Sequence, residues 1–173
     1  MAELAAPALA DGPIRFLPNL ILEPRRPLLT ILIGWVLAAI PALLLAAAVQ
    51  AVFPEAESPD FAVGGWLAVF LLAVFSPVVE SLIMGAALVV LQKWLPAWVS
   101  ILISAVGWGI MHALAAPAWG LVIWWPFLIF STIFTVWRTR GFWAGVGMAS
   151  AVHGLNNLIP ALMIAYAPTL QAT

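Results

Sequence analysis

Cysteine is absent from all 173 residues, which excludes disulfide frameworks, thiolate nucleophiles and zinc sites built on thiolates. Charge is nearly as scarce. Only 8% of the residues are Asp, Glu, Lys or Arg, whereas a water-facing domain carries about a quarter. The six basic residues never cluster beyond Arg25–Arg26, and the formal net charge is −1. The electrostatic footprint of a nucleic-acid binder is therefore missing, and no nucleic-acid partner is expected. Aspartate occurs only at Asp11 and Asp60, so a catalytic pair of intramembrane aspartates is excluded. The first apolar run begins only near Leu28, too late and too long for a cleaved signal peptide, so none is expected.

What is present is hydrocarbon. Hydrophobic residues make up 65% of the chain, and the mean hydropathy is +1.14. These values predict one all-α polytopic membrane domain with about five transmembrane helices. Residues 1–27 read as a cytoplasmic tail and 28–173 as the membrane domain. The expected spans are 28–52, 61–92, 97–116, 121–137 and 141–159. Pro41 is expected to kink the first. The second exceeds the ~20 residues a span needs, and Pro77 is the obvious place for it to break. Arg15, Arg25 and Arg26 precede span one, Lys93 follows span two, and Arg138 and Arg140 follow span four. All basic residues thus fall on one side, which the positive-inside bias makes cytoplasmic, with the N-terminus there and the C-terminus opposite. The expected location is the cell membrane, crossed several times in contact with its lipid. Trp94, Trp98, Trp137 and Trp143, near helix ends, suit interfacial anchors.

Against this background four polar residues stand out. Glu80 is the single acid beyond Asp60, His112 and His153 are the only histidines, and Asn157 lies one turn beyond His153. An ionisable group at bilayer depth costs about 3 kcal/mol or more and is a functional candidate by default. At 1.5 Å rise per residue, Glu80, His112 and His153 lie roughly 20, 24 and 20 Å from the cytoplasmic ends of their helices, and Asn157 about 25 Å. Three helices therefore bring polar groups to one level. His153 and Asn157, four apart, share a helical face, and Gly141, Gly145 and Ala149 precede them at the same interval as a row for close helix contact. Pro77 withholds a donor from the carbonyl of Ala73, one turn from Glu80. The bland alternatives are a protonated, hydrogen-bonded Glu80, a packed Trp108–His112 pair, and His153–Asn157 as interhelical glue.

A carboxylate beside a neutral imidazole can activate water as general base, while a second imidazole and an amide can donate to the oxyanion of a tetrahedral intermediate. These are the parts for amide hydrolysis. Glu80, His112 and His153 could instead hold Zn²⁺ in a His₂Glu set with an open position for water, and the residues alone do not choose. No His-Glu-x-x-His helix is present. Ser150 lies three residues before His153, without a surrounding Gly-x-Ser-Gly.

The chain resembles the CAAX prenyl protease 2 and bacteriocin-processing (CPBP, or Abi) intramembrane protease family. The family's first motif, typically Pro-x-x-Glu-Glu-x-x-x-Arg, is matched by the stretch from Pro77 through Glu80 to Gly85. The second, an aromatic residue followed four later by His, is matched by Trp108 and His112. The third, His-x-x-x-Asn, is matched by His153 and Asn157. The family-like core covers 77–157, with Ser81 standing where the second Glu is usual and Gly85 where the Arg is usual. The resemblance implies an intramembrane endopeptidase acting on a membrane-associated or lipidated peptide. It gives Glu80 and His112 as activators of water and His153 and Asn157 as the oxyanion site. Members of the family are described as metalloproteases and also as metal-free glutamate enzymes. Two other classes are open on the same residues: a small proton-coupled transporter using Glu80, and a non-catalytic membrane partner or immunity protein, suggested by Ser81 and Gly85.

Overall fold

A computed structural model describes residues 9, 12–56, 59, 61 and 63–170, the last four by their backbone alone. The loop acids Glu57 and Asp60 lie outside the described residues. Among the described residues all regular structure is helical. A 3₁₀ turn, Pro13–Phe16, leads to the short helix α1, Asn19–Leu22. The long helices are α2 (Pro27–Val52), α4 (Ser76–Leu91), α5 (Ala97–Ala113), α6 (Pro117–Trp137) and α7 (Phe142–Leu170). A short helix α3, Gly65–Phe70, runs into α4 through a π-helical turn, Leu71–Phe75. Four of these segments are long and apolar enough to cross a membrane: Pro27–Val52, Gly65–Leu91, Pro117–Arg140 and Phe142–Tyr166. Leu28, Leu43, Leu44, Leu67 and Met163 turn outward, as lipid-facing side chains do. The fold is an all-α polytopic membrane bundle.

Helix boundaries follow proline and glycine chemistry. Pro117, expected to precede the fourth span, is in the first turn of α6, where its missing N–H would have been unpaired in any case. Helix α5 has 17 residues and ends at Ala113 rather than near 116. Its tight turn into α6 needs Gly120, where a Cβ would collide with Ala113 and the carbonyl of Gly109. The last helix continues through Pro160 well past the expected end at 159.

Helix α6 is the axis of the bundle. All of its residues from Pro126 to Trp137 are buried, against α5 on one side and α2 and α7 on others. Without a hydrophobic force between helices in lipid, such contacts rest on van der Waals packing and polar pairs. Gly145 of the small-residue row does face α6, where a Cβ would sit 2.9 Å from Phe134 O, and Ala149 one turn on is fully buried. Gly141 does not. It occupies the turn before α7 at φ +126°, a conformation that favours glycine. Hydroxyls bind the core laterally, with Ser104 Oγ 3.0 Å from Ser131 Oγ and Gln92 Nε2 donating to Thr135 Oγ1 at 3.0 Å.

Residues 12–26 do not hang free as a tail. Ile14, Leu17 and Ile21 are buried in the core, and Phe16 stacks on Trp125 at 6.1 Å. Arg26 takes a left-handed φ of 52°, turning the chain sharply into Pro27. Trp94 and Trp143 are exposed near helix ends as expected of anchors, whereas Trp137 is only 5% exposed and belongs to the core, with the Arg140 guanidinium 5.6 Å from its ring.

Pro41 lies inside α2, and its absent N–H leaves the carbonyl of Leu37 without a helical donor. Trp125 Nε1 donates to that carbonyl at 2.8 Å. Trp125→Phe is expected to cost about 0.6–2 kcal/mol, the span found for interhelical hydrogen bonds in membranes. Thermal unfolding in detergent reads it, and an unchanged midpoint would show that the carbonyl finds another partner.

Candidate functional site

Glu80, His112, His153 and Asn157 line one cavity of ≈ 150 Å³. Helices α4, α5 and α7 supply them, and α6 supplies the aromatic wall, Phe127 and Phe130. Trp119 and Phe61 meet edge-to-face at 5.9 Å on the same lining. The depth reckoning from sequence therefore corresponds to a real meeting of three helices.

The break in the second span explains how Glu80 reaches the cavity. The π-turn inserts extra backbone just before Pro77, and Ser76 N–H bonds back five residues to Leu71 O. One residue more rotates the following helix by about 100° relative to an unbroken one. In this wide register the donor due to Leu72 O would come from residue 77, which is proline. Leu72 O is therefore left without a helical donor. Asn157 Nδ2 donates to Leu72 O at 3.1 Å. Beside it, Gly154 lets α7 press on the turn: a Cβ there would lie 2.6 Å from Ala73 O.

The polar atoms are unevenly committed. Ser76 Oγ–H donates to Glu80 Oε1, while Glu80 Oε2 is buried without a partner. Sequence reasoning passed over Ser76, although its i, i+4 spacing to Glu80 was readable. His112 Nδ1 lies 2.8 Å from Trp108 O. A carbonyl can only accept, so Nδ1 carries a proton, and in the neutral ring Nε2 keeps its lone pair. The Trp108–His112 relation is thus chiefly ring to backbone, since the two rings stand 5.9 Å apart and tilted. His112 instead sets its edge on Trp119 at 4.6 Å. His153 is 3% exposed, stacked on Phe130 at 4.5 Å and edge-on to Phe127 at 5.2 Å. Neither imidazole touches the carboxylate directly, for no nitrogen of either lies within 4.0 Å of a Glu80 oxygen. The space between them is the cavity, whose volume exceeds the ≈ 30 Å³ share of one water.

The zinc alternative does not fit these donors. Among the described residues, no three His, Cys, Asp or Glu groups are grouped to hold a metal ion. His153 Nε2 is moreover engaged with Asn157 Nδ2 at 3.3 Å.

The two departures from the motif lie off the cavity. Ser81 is fully buried, and a Cβ at Gly85 would lie 2.5 Å from the Phe134 ring, on the face of α4 that packs against α6. An arginine has no room there, so small residues at 81 and 85 go with close α4–α6 contact. Gly85→Arg, restoring the family pattern, is expected to destabilise the fold by about 3 kcal/mol or more through overpacking. A chemical or thermal unfolding curve at wild-type midpoint would contradict that packing account.

Comparison with known proteins finds no matching family model, no matching curated protein and no matching solved structure.

Proposed function

We propose that this chain is an intramembrane endopeptidase that hydrolyses a peptide bond of a membrane-associated or lipidated substrate by activated water. The observation that carries the reading is the division of free polar atoms around one cavity. Glu80 Oε2 and, in the neutral ring, His112 Nε2 are left as acceptors on α4 and α5, and α7 brings to the same cavity His153, whose Nδ1 is buried and unpartnered. That division is what water-mediated acyl hydrolysis requires. The acceptor pair takes a proton from water as its oxygen bonds to the scissile carbonyl carbon. Charge gathers on the former carbonyl oxygen, which a donor from α7 would stabilise. Collapse breaks the C–N bond, and the proton held by the acceptor pair passes to the leaving amine. The three motif matches to CAAX prenyl protease 2-like proteins, the first of them incomplete at Ser81 and Gly85, support the same reading, as does the position of those two residues outside the cavity lining.

In this reading the bundle lies in the cell membrane with five passes, the 17-residue α5 being the shortest. Its length of roughly 25 Å falls a little short of a ~30 Å hydrocarbon core and implies local thinning of the bilayer at the site. Arg15, Arg25, Arg26, Lys93, Arg138 and Arg140 mark the cytoplasmic end. The test is cleavage of a membrane-peptide library by purified wild type and Glu80→Gln in proteoliposomes. Turnover by the wild type, lost in the variant, supports the reading, and equal turnover removes Glu80 from the mechanism.

A further inference from the structure

We infer that Asn157 is a positioning residue, and that His153 Nδ1–H, rather than the Asn157 amide, is the donor this site offers to a developing oxyanion. The inference rests on the endopeptidase reading for the role of that donor, but the hydrogen-bond assignment stands on geometry alone.

The argument begins at the backbone. Leu72 O can only accept, so the Asn157 amide atom 3.1 Å from it is nitrogen. The amide oxygen is consistently placed on the other side, where Asn156 Nδ2 approaches it at 3.4 Å. The same Asn157 Nδ2 lies 3.3 Å from His153 Nε2. An amide NH₂ has two hydrogens and no lone pair to offer, so Nε2 must be the acceptor. A neutral imidazole that accepts at Nε2 carries its proton at Nδ1. His153 Nδ1 is buried and has no partner.

Two consequences follow for the site. Both Asn157 hydrogens are spent, one on the carbonyl orphaned by Pro77 and one on His153, so the amide has none left for an oxyanion. The ring it orients, clamped between Phe130 and Phe127, has one unpaired N–H. An unpaired donor in a buried, preorganised setting is what stabilises a charge that appears only during reaction. Asn157 thus acts through His153 and through the π-turn that aims Glu80.

The experiment is ¹⁵N NMR of the full chain labelled at histidine, in lipid nanodiscs at mildly alkaline pH, where long-range ¹H–¹⁵N correlations identify the protonated nitrogen of each ring. Only two imidazoles are present, and His112→Gln assigns them. The expected result is a proton on Nδ1 of His153, against the Nε2–H form that free imidazole side chains favour. In Asn157→Asp the donor becomes an acceptor, and the proton is expected to move to Nε2. An Nε2-protonated His153 in the wild type overturns the inference, as does a tautomer indifferent to Asn157→Asp. The wild-type spectrum is decisive alone if that variant fails to fold. Peptide cleavage measured on the same samples separates the two readings: a silent wild type with Nδ1 protonated sinks the endopeptidase and spares the assignment, whereas active wild type with Nε2 protonated does the reverse.

Discussion

Glu80→Gln is expected to lower peptide cleavage by about 10²–10⁴-fold, the usual contribution of a positioned general base. The substitution keeps shape and retains an oxygen able to accept from Ser76, so α4 and its π-turn should hold. What it changes is the other terminus. Oε2, buried and unpartnered, becomes an NH₂ group that cannot take a proton from water. The variant should therefore unfold at the wild-type temperature within a degree or two while turnover collapses. Loss of both activity and folding would assign Glu80 to the architecture instead. His112→Ala removes the second acceptor and should act in the same direction. If a water held by Glu80 alone can be activated, the loss will be the smaller of the two.

The second large effect is expected at Gly154→Ala, a change of one methyl group. Helical propensity favours alanine by about 1 kcal/mol, yet the new Cβ would stand 2.6 Å from Ala73 O, a backbone atom in the π-turn. Helix α7 must retreat, and with it the Asn157–Leu72 hydrogen bond of 3.1 Å. We expect a net destabilisation of about 1–3 kcal/mol together with loss of cleavage, because the same displacement draws His153 away from Glu80. Gly147→Ala, two turns earlier on the helix, meets nothing within 4 Å. It should be neutral or stabilising by up to about 1 kcal/mol. Unfolding midpoints of the pair decide the matter, and equal midpoints would mean that α7 does not press on the turn.

Much of this arrangement was legible in the residues. Apolar run lengths give the long helices, and Glu80, His112 and His153 are singled out because nothing else ionisable lies at their depth. Counting residues from Lys93, Pro96 and Arg140 even predicts their common level. The unreadable parts depend on geometry between helices. An α-helical reading frees the Ala73 carbonyl, and only the extra residue of the π-turn leaves Leu72 O to be served from α7. The central place of α6 had a faint signal in Ser131, Thr132 and Thr135, hydroxyls that an apolar lipid-facing helix would not need. Hydropathy alone cannot separate a helix buried in protein from one bathed in lipid, since both environments are apolar. The packing of Ile14, Leu17 and Ile21 was hidden by Pro13 and Pro18, which interrupt any amphipathic pattern.

Two prolines in the first half of the chain each strip a carbonyl of its helical donor, and in both cases the replacement comes from the second half: Trp125 serves Leu37, and Asn157 serves Leu72. During membrane insertion the early helices therefore enter lipid with an unsatisfied oxygen apiece, a state that hydrocarbon penalises by several kcal/mol per group. Each stays incomplete until a later segment arrives. Biogenesis is thereby biased toward one assembly partner per break, and a ribosome stalled before residue 125 would leave both defects open to quality control.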